Sequence, residues 1–145
     1  MFEFLRRIWF RLDWKLDKLR ARCQRFKRGY SYGDVWSMDY WFMSTVKPML
    51  IHLRDYGISF PVGPSFTHQV DTENERGEWE AILTEMINCL DMMDDDKVQE
   101  HMGFGYFGAW NDMSSEDYKR LYEIREENKN RFFELFSEYF YDLWD

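Results

Sequence analysis

The chain has 145 residues, of which 45% are apolar and 20% aromatic, with a net charge of −8. This length suits a single domain, and no run approaches the roughly eighteen apolar residues that a membrane-spanning helix needs. The two cysteines, Cys23 and Cys89, lie far apart, which excludes a disulfide framework and suits a reducing cytosol.

The charge is unevenly placed. Residues 1–28 carry ten Lys/Arg against three Asp/Glu, and residues 29–145 carry nine against twenty-four. The sequence thus divides into a basic amphipathic arm (1–28) and an acidic body (29–145), read together as one domain. A split this sharp reports on partners more than on fold. Arg6, Arg7 and Arg11 interrupt the first apolar stretch, so it does not fit a signal peptide.

No stretch alternates with period two, and helical spacing dominates. The expected fold is all-α: a helical bundle of four or five helices with a basic amphipathic N-terminal helix and two long loops rich in aromatics, Gly and Pro. Residues 2–28 form the first helix, stopping at Gly29. Its apolar face holds Leu5, Ile8, Trp9, Leu12, Leu16, Leu19, Cys23 and Phe26, and Arg7, Arg11, Lys15, Lys18, Arg22 and Arg25 form a basic stripe. The second segment is expected from an N-cap at Asp34 to a C-terminal Gly57, with Val35, Met38, Phe42, Met43, Val46, Met49, Leu50 and Leu53 on one face. Pro48 removes a backbone donor and predicts a kink or a split.

A loop with Gly57, Pro61, Gly63 and Pro64 follows. Thr72 to Glu75 then fits a capping box, and Trp79, Ile82, Leu83, Met86, Ile87 and Leu90 form the third stripe. Fraying is expected at Asp94-Asp95-Asp96, because acids at a helix C-terminus oppose the macrodipole. Residues 97–113 read as a second long connection. The last helix starts at Ser114 or Ser115 and runs nearly to the end, with Tyr118, Leu121, Tyr122, Arg125, Phe132, Phe136, Tyr139, Phe140 and Leu143 on one face.

The motifs point away from catalysis. Gly103 to Gly108 matches G-x-G-x-x-G, but neither the preceding strand nor the following helix of a dinucleotide site is predicted, so an aromatic loop over helix ends is the plainer reading. His52, His68 and His101 are scattered without metal-ligand spacing, and the acids at 91–96 lack the ligand pattern of a calcium loop. No cofactor or metal is expected, nor an enzyme. Asp39 falls within the apolar stripe of the second segment, and Arg125 within that of the last. A buried carboxylate is costly unless paired. The two are therefore read as structural buried polar residues, joined in an ion pair or satisfied by ring hydroxyl and indole donors.

Candidate partner-binding residues fall in three groups. Arg7, Arg11, Trp14, Lys18 and Arg22 of the arm could meet anionic lipid or nucleic-acid phosphates, or could pack on the acidic body. Phe104, Tyr106 and Trp110 supply aromatic surface in the second loop. Glu123, Glu127 and Glu134, beside Glu126 and Glu138, form an acidic face on the last helix that would suit a basic channel. Overall charge opposes direct nucleic-acid binding except through residues 2–28.

From Arg28 onward the residues resemble a family of small uncharacterised proteins of tailed phages and prophages. The resemblance rests on Arg28-Gly29-Tyr30-Ser31, Asp34-Val35-Trp36, Asp39-Tyr40-Trp41-Phe42, Pro48-Met49-Leu50, Leu53-Arg54, Gly57, Pro61, Trp79, Ile82-Leu83, Met86-Ile87, Leu135-Phe136, Tyr139-Phe140 and Leu143-Trp144-Asp145. It implies a phage accessory protein in the cytoplasm of an infected bacterium and no particular chemistry. The resulting expectation is a non-enzymatic protein that binds a host or phage macromolecule, with a protein as partner, as an inhibitor of a host defence or takeover target. A self-associating or virion-associated assembly protein is the alternative, and a membrane-surface protein using residues 2–28 is another. A small-molecule pocket lined by Trp and Tyr is left open.

Overall fold

The computed structural model describes residues 16–58, 72–105 and 113–144, with the side chains of 72–74 outside that description. The described residues are helical, and no strand occurs among them. The chain divides into two compact units, residues 1–42 and 43–145. The first thus extends past the basic helix into the next two elements. Helix α1 covers 16–28, α2 is Tyr32–Trp36 and α3 is Met38–Tyr56. They are followed by α4 (Thr72–Asp91), α5 (Asp95–His101), α6 (Ser115–Glu138) and a short 3-10 turn, Phe140–Asp142.

In the first unit the two most buried described residues are polar. Ser31 and Asp34 are enclosed, whereas Leu16, Leu19, Phe26, Val35 and Trp36 are exposed. The organising contact is a carboxylate rather than an apolar core. Asp34 accepts from the Ser31 backbone N–H at 2.7 Å and from Arg25 Nε and Nη2 at 2.9 and 2.5 Å. Asp34 is therefore the third residue of α2 in a capping box with Ser31, not the N-cap expected from the sequence. The same carboxylate ties α1 to α2. Gly29 ends α1 at φ +81°, and its N–H reaches the Arg25 carbonyl at 2.8 Å, so the turn needs a residue free of a Cβ penalty. Arg28 lies over the Tyr32 ring at 4.2 Å.

The second unit holds the apolar core. Trp79, Leu83, Met86, Ile87 and Leu90 are buried along α4, as its stripe predicts, and face Phe132 and Leu135 territory through the close packing of α4 on α6. At the other end of α6, Val98 of α5 clusters with Leu121 and Met113. Phe132 is fully buried and stacks on Phe136 at 5.4 Å. Of the residues expected on the inward face of the last helix, Tyr118, Tyr122 and Phe140 are instead exposed, while Leu135, not placed on that face, is buried. Helix α3 continues through Pro48, so the break predicted there occurs earlier, at Ser37 between α2 and α3.

The run Asp94-Asp95-Asp96 is not a fraying C-terminus. Helix α4 ends at Asp91, and Asp94 caps a new helix, accepting from the N–H groups of Asp96 and Lys97. Acids that would oppose the dipole at one helix end favour it at the other. Residues 97–101, expected in a loop, are therefore helical. Helix α5 closes at Gly103 with φ +89°. The Gly103 N–H bonds the Glu100 carbonyl at 3.0 Å and the Phe104 N–H bonds the Gln99 carbonyl at 2.8 Å. This is a Schellman ending, with Phe104 folded onto the Val98 cluster. The first glycine of the G-x-G-x-x-G match thus sits where carbonyls converge, the wrong end of a helix for a phosphate.

Two outcomes follow from this arrangement. Phe132→Ala removes a ring with no exposed surface and is expected to cost about 3–5 kcal/mol in a urea melt. Asp34 is held well below the usual carboxylate range, first by Arg25 and then by the Ser31 N–H. Its contribution is therefore complete above the ordinary carboxylate pKa of about 4 and declines as pH falls below it toward the depressed folded value. Hydrogen exchange at the Ser31 amide should accelerate on acidification beyond its intrinsic pH trend, and Asp34→Asn should abolish that excess.

Candidate functional site

A groove of about 590 Å3 opens between the second half of α3 and the end of α6. Val46, Pro48, Met49, Leu50, His52 and Leu53 supply one wall, and Phe136, Phe140, Leu143 and Trp144 the other. Its base is buried at Leu50, but its rim is open: Met49 is 65% exposed, Phe140 53% and Trp144 64%. These values describe a trough rather than a closed cavity.

Local backbone chemistry places the aromatic wall. Helix α6 ends at Glu138, where the Tyr139 N–H still reaches the Leu135 carbonyl at 3.0 Å, and the chain then tightens into the 3-10 turn, Asp142 N–H to Tyr139 carbonyl at 2.9 Å. In a 3-10 turn residues three apart eclipse one another. Phe140 and Leu143 are so spaced and share the groove wall. Ring contacts carry this wall back to the core: Phe140 meets Phe136 edge-on at 5.4 Å, and Phe136 stacks on Phe132. On the far side of the turn, Tyr139 packs against buried Trp79 at 5.7 Å.

Close to Tyr139 lie the acids Glu138 and Asp142 and the cation Arg131. The Tyr139 phenol is pushed up, first by burial and then by the charges of Glu138 and Asp142. Among the described residues lining the groove, His52 is the one titratable side chain, and its ring lies 5.1 Å from Tyr56. The α3 cations have other partners: Lys47 bonds Asp91 at 2.5 Å and Arg54 bonds Asp55 at 2.8 Å.

A second trough of about 810 Å3 has a mixed lining that includes Arg54, Asp55, Arg76, Glu80, Glu85 and Asn88. Its charges pair with one another, Arg76 with Glu80 at 3.0 Å, while Glu85 takes Arg131 of α6 at 2.7 Å. Exposed pairs of this kind stabilise little, being screened by solvent, and leave little free charge to attract a ligand. Cys89 is buried, and desolvation pushes its thiol up, which suits packing rather than reactivity. Among the described residues, no group of three His, Cys, Asp or Glu is placed to hold a metal.

The candidates named from sequence fare unevenly. Arg7, Arg11, Trp14, Tyr106 and Trp110 lie outside the described residues. Lys18 and Arg22 are exposed on α1. Phe104 is a packing residue of the Val98 cluster, drawn inward by the Schellman turn, and does not present a free aromatic surface. Glu123, Glu127 and Glu134 are exposed on α6, but Glu134 bonds Arg131 at 2.8 Å, Glu123 has Lys119 at 3.8 Å, and neighbouring Glu126 bonds Lys129 at 2.6 Å. The face is less negative than its sequence suggests.

Asp39 is exposed in the first turn of α3, so the enclosed carboxylate of this region is Asp34. A three-residue shift in the helix start explains the difference, because the cap at Ser31 turns Asp34 inward. Arg125 is half-buried and donates to the Met93 carbonyl at 2.9 Å, with Asp95 Oδ1 at 2.5 Å, which fastens α6 to the α4–α5 turn. The groove walls were missed as a site. Met49, Leu53, Phe136, Phe140 and Leu143 all lay on apolar stripes, where a wall residue and a core residue look alike.

No known family model, curated protein or solved structure matches this chain.

Because Phe140 and Trp144 are largely exposed, Phe140→Ser and Trp144→Ser are each expected to shift unfolding stability by less than about 1 kcal/mol. Thermal unfolding of both variants against the parent checks that the groove can be altered without loss of the fold.

Proposed function

We propose that the protein is a non-enzymatic phage accessory protein, built on a helical bundle, that binds a protein partner in the cytoplasm of the infected bacterium. In this reading it inhibits a host defence or takeover target. The observation that supports it is the open apolar groove with Phe140 and Trp144 on its rim. Exposed aromatic anchors beside an apolar trough are what protein interfaces concentrate their binding energy on. The residue pattern from Arg28 to Asp145 supports the phage setting. Glu123, Glu127 and Glu134 supply a secondary contact, weakened by their local cations.

The test is retention of a bacterial protein on the tagged chain at moderate salt. A stoichiometric host protein is expected, lost with Phe140→Ser plus Trp144→Ser and kept with Glu127→Lys plus Glu134→Lys. The reverse pattern would move the contact to the acidic face of α6. Recovery of the chain alone at multimeric mass would replace this reading with self-assembly.

One observation favours a second reading, docking on a membrane surface. Leu16, Leu19, Cys23 and Phe26 form an exposed stripe on α1, and Lys18, Arg20, Arg22 and Lys27 are exposed on the same helix. Apolar residues edged by cations suit the interface of an anionic bilayer. Among the described residues, no helix is long and apolar enough to cross a membrane.

A further inference from the structure

Helix α1 is amphipathic, and its polar side is the one that α2 occupies. We propose that α1 and α2 form a preassembled hook that lays α1 in the interface of an anionic phospholipid bilayer. Leu16, Leu19 and Phe26 enter the acyl boundary, and Arg22 and Lys27 meet lipid phosphates. This rests on the membrane-surface reading of the protein's function, and it adds which face enters and what turns that face away from α2.

Three contacts fix the side on which α2 sits. The Tyr32 N–H donates to Gln24 Oε1 at 2.9 Å, Arg25 Nε donates to the Asp34 carboxylate at 2.9 Å, and the Arg28 guanidinium lies over the Tyr32 ring at 4.2 Å. On a helix that turns about 100° per residue, Gln24, Arg25 and Arg28 share one side. Leu16, Leu19, Cys23 and Phe26 share the other, within about 80° of one another. Burial agrees. Ala21 and Gln24, on the α2 side, are half-buried, while Leu16, Leu19, Cys23 and Phe26 are exposed, Phe26 at 94%. A helix of a globular protein ordinarily packs its apolar stripe and leaves its polar side wet. In α1 the polar side is packed, because the groups that fasten α2 are hydrogen-bonding and cationic side chains.

Charge and layering select the occupant. Residues 16–28 carry six Lys/Arg against one Asp. Arg22 borders the apolar stripe on one edge. Lys27 and Arg20 border it on the other, with Arg20 also reaching Asp17 at 3.4 Å. An anionic bilayer offers acyl chains beneath a layer of phosphates, and an apolar stripe with cationic edges matches that order. A second copy meeting stripe to stripe would bring these cations together. A nucleic acid would engage the cations and leave Leu16 and Leu19 without an apolar contact.

The test uses the full chain with two kinds of vesicle, phosphatidylcholine alone and phosphatidylcholine with an equal part of phosphatidylglycerol. Cys23 is exposed and Cys89 is buried, so an environment-sensitive thiol dye reports on the stripe. A second chain, Cys23→Ser with Asp17→Cys, carries the dye on the opposite side of α1. The mixed vesicles are expected to bind at least about tenfold more tightly than the neutral ones. On binding, the dye at Cys23 should shift to the blue and lose quenching by acrylamide, and the dye at position 17 should do neither. Leu19→Ser with Phe26→Ser should weaken binding about tenfold or more, and so should Arg22→Glu with Lys27→Glu. All four side chains are exposed, so circular dichroism of both variants should match the parent.

Vesicle binding that is indifferent to either pair of substitutions, or that leaves the dye at Cys23 open to acrylamide, overturns the α1 proposal and leaves the membrane reading standing with its contact elsewhere in the chain. No binding to either vesicle removes both. A dye at Cys23 already shielded without lipid also overturns the proposal. Shielding that grows with protein concentration would make a second copy the occupant, and shielding that does not would make it the chain's own body.

Discussion

The packing of α4 on α6 is the contact from which the rest of the second unit takes its position. Trp79, Leu83, Met86, Ile87 and Leu90 give α4 one continuous apolar face, and Phe132 and Leu135 give α6 the complementary one. Burying side chains of this size contributes about 1.5–3 kcal/mol each before ordering costs. Once α6 is fixed, its two ends acquire different tasks. The N-terminal half receives α5 through Val98 and Leu121, and Arg125 clamps the intervening turn through Asp95 and the Met93 carbonyl. The C-terminal end emerges from the core as a ladder of rings that reaches the surface at Phe140.

The two units are stabilised by different physics. The second has an apolar core, and burial gives it a strongly favourable term that depends little on pH or salt. The first is organised around one carboxylate that serves a helix start and an arginine at once. Hydrogen bonds and an ion pair with a partly exposed guanidinium offset less of the ordering cost. The exposure of Leu16, Leu19, Phe26 and Trp36 follows, because the described part of this unit has no apolar interior for them to enter.

The groove arises from the same division of labour. The close helix contacts of this unit are α4 on α6 and α5 on α6. The second half of α3 contributes one fully enclosed apolar residue, Leu50, and leaves Met49 on the surface. Among the described residues, the second half of α3 and the 3-10 ending of α6 leave an apolar trough between them. An uncovered apolar surface is costly to keep, and that cost is the physical argument for a partner.

The sequence by itself determined the helical class and most helix ends. Gly29, Gly57 and Ser114 stop or start helices through hydrogen bonds that close within about five residues, so their meaning is local and legible. The α4 stripe was legible for a related reason, since every third or fourth residue was apolar and a single face could accept them. Tertiary structure alone decided the remainder. Whether Asp34 or Asp39 is enclosed depended on a cap three residues upstream and an arginine nine residues away. Whether Asp94 to Asp96 ended one helix or began another depended on Val98 finding a place against α6. Whether Phe140 filled a core or walled a groove depended on a neighbour that the periodicity of its own helix does not encode. Periodicity identifies which residues share a face, but only a second element packed against that face determines which of them are buried and which are free to bind.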